Sequence, residues 1–130
     1  MDNKQAGLKI MIVDDSKTVR KSAEEILTQY GHQVVVSENG YDAISRIVDL
    51  KPNLIFLDIM MPKLDGYQTC ALVKHNQDYQ HIPIIMLSSK DGVYDKAKAR
   101  VVGADDYLTK PFTAEDLINT INKFASEKHD

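Results

Sequence analysis

Apolar residues in this chain follow two alternating rhythms. Five short, nearly unbroken apolar runs stand out: "LKIMIV" (Leu8–Val13), "QVVVS" (Gln33–Ser37), "NLIFLD" (Asn53–Asp58), "IPIIMLS" (Ile82–Ser88) and "DDYLT" (Asp105–Thr109). Their length and β-branched content predict strands. Between and after them, apolar positions recur at the 3.6-residue period of a helix. These are Val19, Ala23, Ile26, Leu27 and Tyr30, then Ala43, Ile44, Ile47 and Val48, then Tyr67, Cys70, Ala71 and the stem of Lys74. Val93, Ala97 and Val101 form the fourth stripe, and Leu117, Ile118, Ile121 and Phe124 the last.

Punctuation agrees with the periods. Gly31 and Gly103 stand where a left-handed residue ends a helix. Lys51-Pro52 stops the second helix. Asp65 is placed to cap the third. Thr113 to Asp116 resembles a capping box, with Asp in place of the usual Glu or Gln. Five strands alternating with five helices predict an α/β domain, a parallel sheet with helices on both faces. The continuous apolar runs suit strands covered on both sides.

Composition narrows the class without naming a function. The chain has 130 residues, 43% hydrophobic and 27% charged, enough for one domain with one core. The expected limits are a tail over residues 1–7, a domain over 8–125 and a polar tail over 126–130. The apolar runs are too short to span a membrane, and "MDNKQAG" lacks the features of a secretory signal. The single Cys70, on an apolar helix face, fits a reducing, cytoplasmic setting and a buried small hydrophobe. A net charge of −3 gives no general attraction to nucleic acid or membrane, and no DNA-binding motif is visible. His32, His75, His81 and His129 show no metal-ligand spacing. The methionines at 60, 61 and 86 read as core filler.

The informative polar residues share one location. Asp14 and Asp15 follow the first strand, Asp58 ends the third, Ser88 ends the fourth and Lys110 follows the fifth. In an open parallel sheet those carboxyl ends lie along one edge, where such folds bind ligands. Each residue has an ordinary reading. The Asp pair could be capping or solvated surface, Asp58 a turn residue, Ser88 or Ser89 a helix cap, Lys110 a surface lysine and Tyr107 edge-strand packing. Taken together they point elsewhere. Three carboxylates around one ammonium call for a further cation, and oxygen-only ligands suit Mg²⁺. A carboxylate can accept a phosphoryl group, with a cationic side chain and a hydroxyl on the transferred oxygens.

The segments "VDDS", "LDIMMPKLDG", "MLSS" and "YLTKPF" resemble the signature of the CheY-like receiver domain of two-component response regulators. The likeness spans about residues 8 to 125. It implies the flavodoxin-like three-layer sandwich, a doubly wound sheet in strand order 2-1-3-4-5. It implies Asp58 as phospho-acceptor, and Mg²⁺ held by Asp15, Asp58 and the Met60 backbone carbonyl, with Asp14 outside them on metal waters. Ser88 and Lys110 would each bind a phosphoryl oxygen. Tyr107 would be an aromatic switch, and Lys110-Pro111 a cis peptide. Met60 and Lys90 would flank the phosphoryl group, and an apolar Met60 would slow its hydrolysis. The same segments are similar to single-domain regulators of a type IV pilus, twitching-motility chemosensory pathway. The implied partners are the phosphotransfer domain of a chemotaxis-type histidine kinase and a protein target bound by the fourth helix, fifth strand and fifth helix. The only catalysis implied is of the chain's own phosphorylation and dephosphorylation.

Other classes fit less well. A haloacid-dehalogenase-type phosphatase carries Asp-x-Asp after its first strand, and the third strand here ends in "LDIMM". A flavodoxin-like flavin module needs a Ser/Thr/Gly-rich phosphate loop where acidic "DDSK" stands. A receiver that only docks would not need the full set of acids with Lys110.

Overall fold

The computed structural model describes residues 7–90 and 92–127. Strands β1 (Lys9–Val13), β2 (Gln33–Ser37), β3 (Leu54–Asp58), β4 (Ile84–Ser88) and β5 (Asp106–Thr109) alternate with helices. These are α1 (Lys17–Gln29), α2 (Gly40–Leu50), α3 (Gly66–Lys74), α4 (Val93–Val101) and α5 (Ala114–Glu127). The strands form one parallel sheet in the order β2-β1-β3-β4-β5.

Alternation along each strand splits the core in two. Met11, Val13, Ile55, Leu57 and Met86 point to the face covered by α2, α3 and α4. Ile10, Ile12, Phe56, Ile85 and Leu87 point to the face covered by α1 and α5. β1, β3 and β4 are therefore buried on both sides and read as continuous apolar runs.

Four strands begin later than the apolar runs suggest, and at two of them the leading residue serves as a cap. Asn53 Oδ1 accepts from Lys9 N (2.8 Å), and Asp105 Oδ2 accepts from Ile84 N (2.9 Å). Pro83, preceding β4, has no N–H for a ladder. The expected stops hold. Gly31 (φ 88°) follows α1 with the two reverse bonds of a Schellman motif, Gly31 N to Thr28 O and His32 N to Leu27 O. Gly103 (φ 99°) does the same after α4. Thr113 and Asp116 form the reciprocal box despite the shorter acid (2.9 and 3.0 Å).

Three expectations are corrected. Tyr30 is the C-cap of α1 and Val48 lies on the outer side of α2, both about half exposed, because each sits at the margin of its apolar stripe. α4 turns its Val93, Ala97 and Val101 stripe to solvent and buries only Ala99. The expected tail at 126–130 begins too early, since α5 runs through Glu127. Residues 1–6 and 128–130 of the two tails lie outside the described residues.

Candidate phosphoryl-acceptor site

Strand order reverses direction between β1 and β3, and the loops there open a crevice at their carboxyl ends. Val13 pairs with Leu57, so the next residues, Asp14 and Asp58, face each other across that crevice. Asp14 is fully buried. Its N–H donates to Ser37 O (3.1 Å), and its Oδ1 accepts from Ser16 N (2.9 Å). Ser16, not either aspartate, caps α1 by accepting from Val19 N. The helix-capping alternative for the aspartate pair is thereby removed.

Lys110 reaches in from the β5–α5 loop. Its Nζ lies 2.7 Å from Asp14 Oδ2 and 3.2 Å from Asp58 Oδ1. The contact to Asp14 Oδ2 is poorly aligned for a hydrogen bond, and that buried oxygen has no other donor among the described residues. Oxygens from Asp14, Asp15 and Asp58 lie within 4.8 Å of one another, with Asp15 on the solvent side.

Electrostatics follow from this crowding. Burial, then the Asp14 charge, pushes the Asp58 carboxyl up to about 6 from its ordinary 3.8, against the opposing pull of Lys110. Burial alone would discharge Lys110, but the Asp14 and Asp58 carboxylates in close contact with its ammonium outweigh that and raise its pKa. With all groups ionised the cluster is two charges negative. A hard divalent cation with oxygen ligands balances that deficit and supplies the partner that Asp14 Oδ2 lacks. The donor set therefore fits Mg²⁺.

The remaining expected residues stand around this centre. Ser88 is buried at the end of β4, and its carbonyl accepts from Lys110 N (2.7 Å). Its Oγ accepts from Lys90 N (3.0 Å) and does not cap α4, whose N-cap is Gly92. Tyr107 Oη donates to Lys90 O (2.6 Å), so one peptide segment is gripped from both sides. The Lys110–Pro111 bond is cis. Met60 N lies 3.4 Å from Asp58 Oδ1. Its side chain is 60% exposed at the crevice mouth and is not core filler, unlike Met61 and Met86.

This arrangement, with its motifs in order, matches the sequence profile of the response regulator receiver domain over residues 10–122. The chain belongs to that family. It is 55% identical over 121 residues to Protein PilG of Pseudomonas aeruginosa, spanning 93% of this chain and 90% of that protein. It is 40% identical to Protein PilH of the same organism, spanning 88% and 94%. The chemotaxis protein CheY4 of Vibrio cholerae superposes with a TM-score of 0.87 at 28% identity, over 92% of this chain and 99% of that one. Receivers are phospho-accepting switches that bind Mg²⁺ at an acidic pocket.

Two residues that shape this receiver's pocket escape a reading by charge and motif. Arg20 on α1 donates from Nη1 to the Asp14 carbonyl (2.7 Å), fixing the turn that carries both aspartates. Gly66 opens α3 hard against the end of β3: a Cβ there would lie 2.6 Å from Ile59 Cα and closer still to the Asp58 carbonyl oxygen. The Asp-Gly pair signalled a turn; nothing in it signalled this close approach.

Proposed function

We propose that this chain is a response regulator that accepts a phosphoryl group on Asp58 from the phosphotransfer domain of a chemotaxis-type histidine kinase. The observation that carries the reading is the buried Asp14–Lys110–Asp58 bridge, whose ammonium lies between two carboxylates at the sheet's switch point. The ionised Asp58 carboxylate attacks phosphorus. A P–O bond forms as the donor's P–N bond breaks, and that bond's electron pair leaves on the imidazole. Lys110, already within reach of Asp58, neutralises one transferred oxygen. The Ser88 hydroxyl, which uses a lone pair on Lys90 N–H, keeps its proton to donate to another. Asp15, Asp58 and the Met60 carbonyl would hold Mg²⁺, with Asp14 behind them, and the bound ion would supply charge neutralisation to the phosphoryl oxygens.

Output follows from the Ser88–Lys90–Tyr107 chain of bonds. Drawing the Ser88 hydroxyl toward a phosphoryl group strains the grip on Lys90, which Tyr107 shares, and α4 begins three residues further on. The surface formed by α4, β5 and α5 is thereby reshaped for a target protein, as in other phosphorylation switches. Similarity to PilG and PilH supports a twitching-motility, type IV pilus chemosensory pathway as the setting. Among the described residues no helix is long and apolar enough to cross a membrane, which is consistent with a cytoplasmic location.

Incubation with acetyl phosphate and Mg²⁺, followed by intact mass, tests the reading. One added phosphoryl group is expected, absent without Mg²⁺ and absent in Asp58→Ala. Turnover of donor without a stable adduct would instead make the chain a phosphatase.

A further inference from the structure

Three large apolar side chains that remain exposed converge on one groove, between α2 and α3. Tyr41 is 60%, Val48 50% and Leu72 53% exposed. Tyr41 and Val48 are seven residues apart on α2, with the partly buried Ile44 between them in the same row. Leu72 is on α3, three residues after Thr69.

Principles of helix geometry and the surrounding contacts fix which way these rows face. The opposite flank of α2 holds Asp42 and Arg46, which pair with each other, and Asp42 accepts from Ser37 Oγ at the end of β2. The Tyr41–Ile44–Val48 row therefore faces α3. On α3, the flank with Tyr67 and Lys74 is turned to α4. Tyr67 Oη donates to Asp95 O (3.3 Å), and the Lys74 stem lies against Gly103. The other flank, with Thr69 and Leu72, faces α2. Thr69 meets α2 at Gly40, where a Cβ would have no room. Both helices return across the same parallel sheet, so they run side by side in one direction. With Thr69 level with Gly40, Leu72 falls between the levels of Tyr41 and Val48.

The chemistry of the groove is neutral. Neither row carries a charge. The polar side chains beside them are spent locally: Ser45 Oγ donates to Asp42 O, and Gln68 Oε1 accepts from Asp65 N. The three side chains together expose on the order of 300 Å² of apolar surface, a patch size that on a monomer is often functional. A stable dimer needs about 800 Å² from each partner, so a second copy meeting this patch alone falls well short. A single helix laid along the groove needs no more than these three contacts. An anionic membrane surface would find no basic residue in either row.

We propose that the α2–α3 groove is a docking site for an uncharged, leucine-faced helix of a partner protein. The partner's apolar side chains cover Tyr41, Val48 and Leu72 and form a third ridge over the two helices. None of the bonds that shape the groove runs to Ser88, Lys90 or Tyr107. The site therefore acts as a mooring that holds in both signalling states, separate from the output face. It does not rest on the phosphoryl chemistry of Asp58.

The test uses the full chain and two synthetic peptides of about four helical turns. Both have the same leucine, alanine and glutamine content. One places leucine on a single helical face; the other disperses it. Amide shifts in a ¹⁵N spectrum should place the leucine-faced peptide on α2 and α3, and the dispersed peptide should not bind. Tyr41→Lys and Leu72→Lys should each weaken binding by roughly tenfold or more, with parent-like urea midpoints because both positions are exposed. Tyr30→Lys, at an exposed tyrosine outside the groove, should leave binding unchanged. Affinity should be the same at low and high salt, since no charge is engaged. Acetyl phosphate with Mg²⁺ should leave it within about twofold, below the usual coupling between linked sites. Equal binding of both peptides, a footprint away from α2 and α3, loss of affinity at high salt, a larger response to phosphorylation or equal weakening by Tyr30→Lys overturns the proposal. So does a dimer in sedimentation that Leu72→Lys dissociates, or binding to phosphatidylglycerol vesicles that it abolishes.

Discussion

Replacing Asp58 with asparagine should make the metal-free protein more stable. Asp58 is 3% exposed, shares its crevice with Asp14 and has its carboxyl pushed up to about 6. In the unfolded chain it returns to its ordinary 3.8. Below that value both states hold the proton, and the site imposes no penalty. As pH rises from about 4 to 6 the unfolded chain ionises first, so the folded state binds more protons and stability falls. Above the folded pKa the loss is constant, about 3 kcal/mol for a displacement of that size. The substituted asparagine carries no charge, so the penalty vanishes, and Lys110 is not orphaned because Asp14 remains 2.7 Å away. Urea unfolding of both proteins in EDTA is the assay. The variant should gain up to about 3 kcal/mol near pH 8, and the gain should shrink towards zero near pH 4. Mg²⁺ should narrow the gap from the other side, stabilising the parent more than the variant. A variant no more stable than the parent across this range would refute the claim that Asp58 is held against its preference.

Three further outcomes are expected. Gly66→Ala should cost roughly 3 kcal/mol by urea midpoint and slow phosphorylation, because its Cβ meets the backbone of Asp58 and Ile59; parent-like values in both assays would contradict the close packing. Lys74→Met should cost about 3 kcal/mol with an unchanged denaturant slope, since Lys74 Nζ donates to Gln80 O, Ile82 O and Asp105 Oδ2 while only 14% exposed. Met60→Asn should shorten the lifetime of the phosphorylated form, followed by decay of its intact mass, because a polar side chain at the crevice mouth orients water where an apolar one covers the site. An unchanged lifetime would remove Met60 from any role in hydrolysis.

Where a residue's task is set by its own strand or helix, the sequence conveyed it. β1, β3 and β4 are apolar on both faces because both faces are covered, so their positions stood out as runs. Asp14, Asp58, Ser88 and Lys110 could be gathered at one edge because parallel strands all end on the same side. Tasks that depend on another element were hidden. The alanine and valines of α4 repeat as a core stripe would, and only the packing of the sheet shows that Ala99, on the opposite side, is the residue buried. Met60 looked like its neighbour Met61, but successive residues of the loop face opposite ways. Arg20 looked like any helical surface arginine, since its acceptor is a backbone carbonyl six residues back.

The shallow seating of α4 has a consequence for how such a protein changes over time. Eight of the nine residues of α4 lie outside the buried core, so most of its positions can be rewritten with little effect on folding. The crevice at the carboxyl ends of the strands has no such latitude: Asp14, Asp58 and Ser88 are all buried, and Gly66 has no room for a methyl group. Duplicated copies of such a chain could thus acquire new listeners by drift along a single helix while keeping the same chemical trigger.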